Sequence, residues 1–144
     1  AITPRRYCEN ETFNLILSSF AEKAKQAGIA LAVDAKLPKE TPFSDSEICS
    51  LLSNALENAI RAASPIPDAS KRQIRLRLFP RNGKLCIDLR NSFFKKPAFR
   101  GGLPVAADEG HGFGTRSMVR IVEKLGGVCR FFVQDGWFVF QASA

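Results

Sequence analysis

A chain of 144 residues with 45% apolar content and twelve phenylalanines can fill one hydrophobic core, and a second domain is not expected. Its formal charge of +7 is spread over scattered pairs such as Arg5-Arg6, Lys71-Arg72 and Lys95-Lys96, a pattern that argues against a dedicated nucleic-acid surface. No apolar run approaches the roughly 18 residues of a membrane span, the first ten residues lack a secretory-signal pattern, and Cys8, Cys49, Cys86 and Cys129 form no CxxC pair, which leaves reduced thiols in a cytosolic setting.

In chain order, residues 9–27 predict a helix capped by Asn10, with Phe13, Leu15, Ile16, Leu17 and Phe20 in a broad apolar stripe and Gly28 at its end. A short strand is expected over 29–33. Ser44 with Glu47 three residues later is a capping box for a central helix over 44–61, which stops before Ser64-Pro65-Ile66-Pro67. In 73–79 Ile74, Leu76 and Leu78 alternate with Arg75 and Arg77, the pattern of a sheet with one buried face. Asn82-Gly83 signals a hairpin into 85–89, where Leu85, Ile87 and Leu89 share a face with Asn91 at the strand's end. Residues 92–111 show no clear periodicity, and loops this long in a compact domain are usually functional or disordered. A helix over 113–125 ends at Gly126-Gly127. A hairpin then runs through 128–133, Asp135-Gly136 and 137–140, apolar enough to expect burial on both faces with Trp137 in the core.

Two features exceed the needs of packing. In the central helix Asn54, Asn58 and Arg61 fall on one face, opposite Ile48, Leu51, Leu52, Ala55, Leu56 and Ala59. Ahead of the third helix Gly110, Gly112 and Gly114 alternate, which lets backbone approach a ligand closely beside the N–H groups of a helix start. Taken separately, these features are also compatible with a solvated helix face and a simple loop. Together they compose a triphosphate site: an Asn oxygen is a hard ligand for Mg²⁺, and an Arg faces phosphate.

The segment 52–59, LSNALENA, resembles the N box, and 109–117, EGHGFGTRS, resembles the second glycine box, of the GHKL ATP-binding domains shared by sensor histidine kinases, DNA gyrase B, the heat-shock chaperone and MutL proteins. The form GHGFGTRS is most similar to the peptide-sensing, quorum-type kinases of Gram-positive bacteria. The resemblance implies an α+β Bergerat fold, a two-layer sandwich whose mixed, mainly antiparallel sheet is covered on one face by about three helices. It implies a single domain with an N box over 51–61, a lid over 92–111 and the glycine box over 110–114, binding ATP and Mg²⁺. By the resemblance Asn58 is the metal ligand, Asn54 and Arg61 are the candidates for catalytic roles, and Gly110, His111, Gly112, Phe113, Gly114 and Thr115 contact nucleotide. Asn91 stands where most relatives have an adenine-binding Asp, and no Asp-x-Gly-x-Gly follows it. Where hydrolysing relatives carry a Glu, Asn54 cannot act as a base, so rapid hydrolysis is not expected.

The implied partners are dimerisation and phosphoacceptor helices of the same sensor, with a response regulator reached indirectly. No specific nucleic acid is expected, and a membrane is met only through a missing N-terminal part, the domain itself being cytoplasmic. The only histidine, His111, lies in the glycine box, so the acceptor is expected outside this chain. Lys95, Lys96 and Arg100 are candidates to touch phosphate, alongside a plain solvated loop; Phe93, Phe94 and Phe99 are candidates to fold the lid onto the core or a partner helix. An anti-sigma-type serine kinase on the same fold, and a decayed pocket serving as a basic protein- or nucleic-acid-binding module, stand as alternatives.

Overall fold

The computed structural model describes residues 6–38, 40–105 and 112–144, with backbone alone at 112 and 113. Helix α1, Glu11–Gln26, starts at Asn10, whose side chain accepts a hydrogen bond from the Phe13 N–H. Strand β1, Ala30–Ala35, follows. Helix α2, Asp45–Ala63, starts at the expected capping box. There the Glu47 N–H donates to Ser44 Oγ at 3.1 Å and the Ser44 N–H donates back to Glu47 Oε1 at 2.9 Å, satisfying two donors that a helix start otherwise leaves open. A 3₁₀ turn, Ala69–Lys71, leads into β2, Gln73–Arg81, and β3, Lys84–Asn91. Between these strands Asn82 and Gly83 both adopt positive φ, 53° and 74°, as the hairpin signal requires.

Strands β4, Ala98–Arg100, and β5, Leu103–Val105, form a separate antiparallel pair. Helix α3, Gly112–Lys124, then precedes β6, Val128–Gln134, and β7, Trp137–Ser143. The main sheet has the order β1-β2-β3-β7-β6, with β1 and β2 parallel and every other pair antiparallel. All three helices contribute to a core built on one face of this sheet. Helix α2 lies across β2 and β3, α1 packs on β1, and α3 on β6.

The core follows from the alternation read in the sequence. Ile74, Leu76 and Leu78 of β2 and Leu85, Ile87 and Leu89 of β3 are buried against Leu51, Leu52, Leu56 and Phe13. Each such side chain contributes about 1.5–3 kcal/mol on removal from water. Because Ile74 pairs with Asn91 and Leu76 with Leu89, Asn91 reaches the helix-covered face at the last position of its strand.

Three expectations are corrected. The aperiodic stretch 92–111 contains the β4-β5 hairpin, turned by Gly101 and Gly102 at φ 61° and 80°; its strands are too short for a periodic pattern to register. The β6-β7 hairpin is covered by helices on one face only, and Val128 is 70% exposed. Trp137 is not in the helix-side core, since parity sends Phe138 and Phe140 inward and Trp137 to the opposite face.

Candidate functional site

The polar stripe of α2 meets α3 and the β4-β5 hairpin at one end of the sandwich. There a cleft with a volume of about 190 Å³ opens between Asn58, Arg61 and Ala62 of α2, Phe93, Lys95 and Pro97 after β3, Pro104 and Val105 of β5, and Thr115 of α3. Phe131 and Phe138 complete its apolar lining. The cleft is mainly apolar, with amide, hydroxyl and cationic groups among its lining, a combination that suits an apolar ring carrying an anionic tail.

Arg61 Nη1 donates to Asn58 Oδ1 at 3.3 Å, while Asn58 Nδ2 faces Met118 Sδ at 3.9 Å. The buried thioether of Met118 thus takes the amide's NH₂ side, and its carbonyl oxygen is turned toward Arg61 and the cleft. Asn54, one turn earlier, does not line the cleft. Its Nδ2 donates to Ser50 Oγ at 3.4 Å, and its Oδ1 lies so close to Gly114 that a Cβ there would sit 3.1 Å from it. A glycine at 114 therefore lets the first turn of α3 settle onto the N-terminal part of the α2 stripe.

Asn91 is 2% exposed and pairs with Phe138 across the sheet. Its Nδ2 donates to the Ser92 carbonyl at 2.9 Å, and its Oδ1 accepts no hydrogen bond among the described residues. Among the described residues no completely buried side-chain oxygen lacks a partner, so this Oδ1 retains access to solvent. Ser92 serves the fold instead: its Oγ accepts from the Gln73 N–H at 2.9 Å and ties the end of β3 to the start of β2. The chain is then pinned to the end of α2 by the Phe94 N–H, which donates to the Ala62 carbonyl at 3.4 Å.

Of the basic candidates in 92–111, Lys95 lines the cleft, whereas Lys96 and Arg100 do not. Phe93 lines it; Phe99 stacks on Phe138 at 6.1 Å between ring centroids and so lays the β4-β5 hairpin over the floor; Phe94 points to solvent at 62% exposure. Gly110 and His111 lie outside the described residues, and the backbone of Gly112 and Phe113 forms the first turn of α3. Sequence reading did not single out Phe131, Phe138, Pro97, Pro104 or Val105. The two phenylalanines were detectable as inward positions of β6 and β7, although nothing local told floor from core.

A model of the GHKL domain matches residues 44–143, a span that runs from the cap of α2 to the last residue of β7. The chain belongs to the GHKL domain family. Its fold is that of histidine kinase catalytic domains. The catalytic domain of histidine kinase ThkA superposes with a TM-score of 0.74 at 20% identity, covering 93% of this chain and 91% of that one. The mycobacterial sensor histidine kinase MprB gives 0.68 at 16% identity, with 91% and 92% covered. Full-length ShkA, solved with AMPPNP, gives 0.66 at 16% identity and covers 99% of this chain, which spans only 30% of ShkA. No curated protein matches at a significant level.

Within this GHKL domain no carboxylate, thiol or imidazole cluster suited to a metal occurs among the described residues. An Mg²⁺ would rest on the neutral oxygen of Asn58 and take its remaining ligands from phosphate and water. That donor set fits an ion which binds through few protein oxygens and keeps much of its hydration. No helix among the described residues is long and apolar enough to cross a membrane.

Proposed function

We propose that this GHKL domain is the ATP-binding catalytic domain of a sensor histidine kinase. The observation that carries the reading is Asn91 Oδ1, an acceptor without a partner among the described residues, on a residue at 2% exposure whose cross-strand neighbour Phe138 lines the cleft together with Asn58 and Arg61. An amide oxygen with no protein donor and only narrow access to solvent is available to accept from a ligand, and the exocyclic amine of adenine is such a donor. With the ring between Phe93 and the Phe131-Phe138 floor, the triphosphate runs toward Arg61, Lys95 and the start of α3, whose positive dipole end favours an anion.

Asn58 would hold an Mg²⁺, which would supply charge neutralisation to the phosphates, and Arg61 steadies Asn58 through its hydrogen bond while keeping other N–H groups for phosphate. Asn54 supplies no base: an amide does not take a proton from water, and here it is held by Ser50 and packed at Gly114. Phosphoryl transfer requires positioning and charge neutralisation more than covalent help, so this wall suits transfer to a nucleophile brought from outside. The acceptor we infer is a histidine on dimerisation helices of the same sensor, with a response regulator downstream and the domain working in the cytoplasm.

Titration calorimetry with Mg²⁺-ATP tests the reading. Binding is expected, with Asn58→Ala and Arg61→Ala each weakening it about tenfold, some 1.4 kcal/mol. A folded sample that takes up no nucleotide at saturating Mg²⁺ would sink it.

A further inference from the structure

Among the described residues no helix or second sheet covers the sheet face turned away from the helices, and that face has a regular chemistry. On β2 Arg75, Arg77, Phe79 and Arg81 point to this side, joined by Lys84, Asp88 and Arg90 of β3, Arg130 and Phe132 of β6, and Trp137 and Gln141 of β7. The arginines lie over aromatic rings: Arg75 is 4.7 Å from the centroid of Trp137, Arg77 4.8 Å from Phe79, and Arg130 4.7 Å from Phe132. A guanidinium held over a ring keeps N–H groups available at its edge, and such groups can receive an oxyanion.

The face's own carboxylates match only part of that charge: Asp88 stands across from Arg77 and lies within its field, but its ion pair is with Arg90. Asp88 is spent internally, accepting from Arg90 Nε at 2.8 Å, Arg90 Nη2 at 3.2 Å and Gln141 Nε2 at 2.7 Å. Asp34 stands beside Arg77 in the register but makes no ion pair within 4 Å, and none of Arg75, Arg77 and Arg81 has a carboxylate in that range among the described residues. Arg75 lies directly across from Arg90, whose charge Asp88 already takes up, so Arg75 itself is left without a carboxylate partner among the described residues.

We propose that this face docks an extended acidic segment of a partner protein, with carboxylates at alternate positions. Side chains two residues apart on a strand repeat at about 6.6–6.8 Å, the spacing of Arg75 and Arg77, and an extended acidic segment repeats its carboxylates at the same interval. Protein is favoured over single-stranded nucleic acid because the rings that would stack on bases, Trp137, Phe79 and Phe132, are already covered by arginine. The surface is on the opposite side of the sheet from the cleft, so the proposal stands apart from nucleotide binding.

Fluorescence anisotropy with the 144-residue chain tests it, using as probes an alternating Glu-Thr octapeptide, a peptide of the same composition with its glutamates in one block, and an oligothymidylate of equal length. The alternating peptide is expected to bind most tightly at low salt. Arg75→Glu with Arg77→Glu should weaken it more than about tenfold, while Lys25→Glu with Lys71→Glu, the same change in net charge on residues off this face, should leave it within about twofold. Arg75→Lys with Arg77→Lys keeps the charge but not the fork, and an intermediate loss is expected. Equal binding of the block peptide, tighter binding of the oligonucleotide, or equal losses in the two charge-reversed variants would each overturn the proposal. All four substituted residues are exposed, so a folded sample is expected from every variant.

Discussion

Asn91 shows how much one atom decides. Its NH₂ group is held by the Ser92 carbonyl at 2.9 Å, which leaves the oxygen free to accept. Replacement by Asp would set a carboxylate oxygen against that carbonyl in a nearly closed site. Asn91→Asp is therefore expected to destabilise the fold by about 1–3 kcal/mol, read as a lower urea midpoint at unchanged slope. Asn91→Ala removes the acceptor without the repulsion and should weaken ATP binding about tenfold in calorimetry. The residue's inward placement was legible in the sequence, because strand parity put it with Leu85, Ile87 and Leu89. Its hydrogen bonding was not, because the Ser92 carbonyl direction depends on how β3 leaves the sheet.

At the scale of elements, α2 was the best-announced part of the chain. Ser44, Glu47 and the prolines after Ser64 mark both ends, and the helix spans Asp45–Ala63 as that punctuation requires. Ser44→Ala should cost about 1 kcal/mol by thermal or urea unfolding, since the Glu47 N–H loses its acceptor. A sharper penalty is expected at Gly127, where α3 turns into β6. A Cβ there would lie 2.3 Å from the Ser143 carbonyl oxygen, and that backbone belongs to a sheet strand which cannot retreat. Gly127→Ala is expected to lower stability by about 1–3 kcal/mol or to displace β7, visible as a lost calorimetric transition or altered amide shifts. The β4-β5 hairpin was the least legible element: three-residue strands have no periodicity, and Phe99 finds its place only because Phe138 is there to stack on.

For the whole molecule, acid stability rests on carboxylates at opposite sides of the fold. Burial raises the Asp88 carboxyl, but hydrogen bonds from Arg90 and Gln141 and the charges of Arg90 and Arg77 outweigh it and hold it below its ordinary value. Glu47 is lowered by its hydrogen bonds at the Ser44 cap, with help from Lys124. Groups lowered by folding contribute stability that is fully present above their unfolded values and lost as pH falls through their folded ones. Stability should thus be flat from neutrality down to roughly pH 5 and fall below roughly pH 4. In Asp88→Asn the acid-side slope of unfolding free energy against pH should become shallower, which denaturant titrations across this range would reveal.

The sequence by itself determined the helices and most strands, the buried face of β2 and β3, and the identity of the α2 stripe, because each rests on local periodicity, capping or turn chemistry. The tertiary structure alone decided which stripe residues share a cleft: Asn58 and Arg61 face it, whereas Asn54 is taken up by Ser50 and Gly114. It also decided that scattered arginines become one surface. Arg75 and Trp137 are far apart along the chain, and only the pairing of β2 with β3 and β3 with β7 brings them within 4.7 Å on a face that none of the described helices covers. Periodicity assigns a side chain to a face; which face is covered, and by what, depends on contacts between residues distant in sequence.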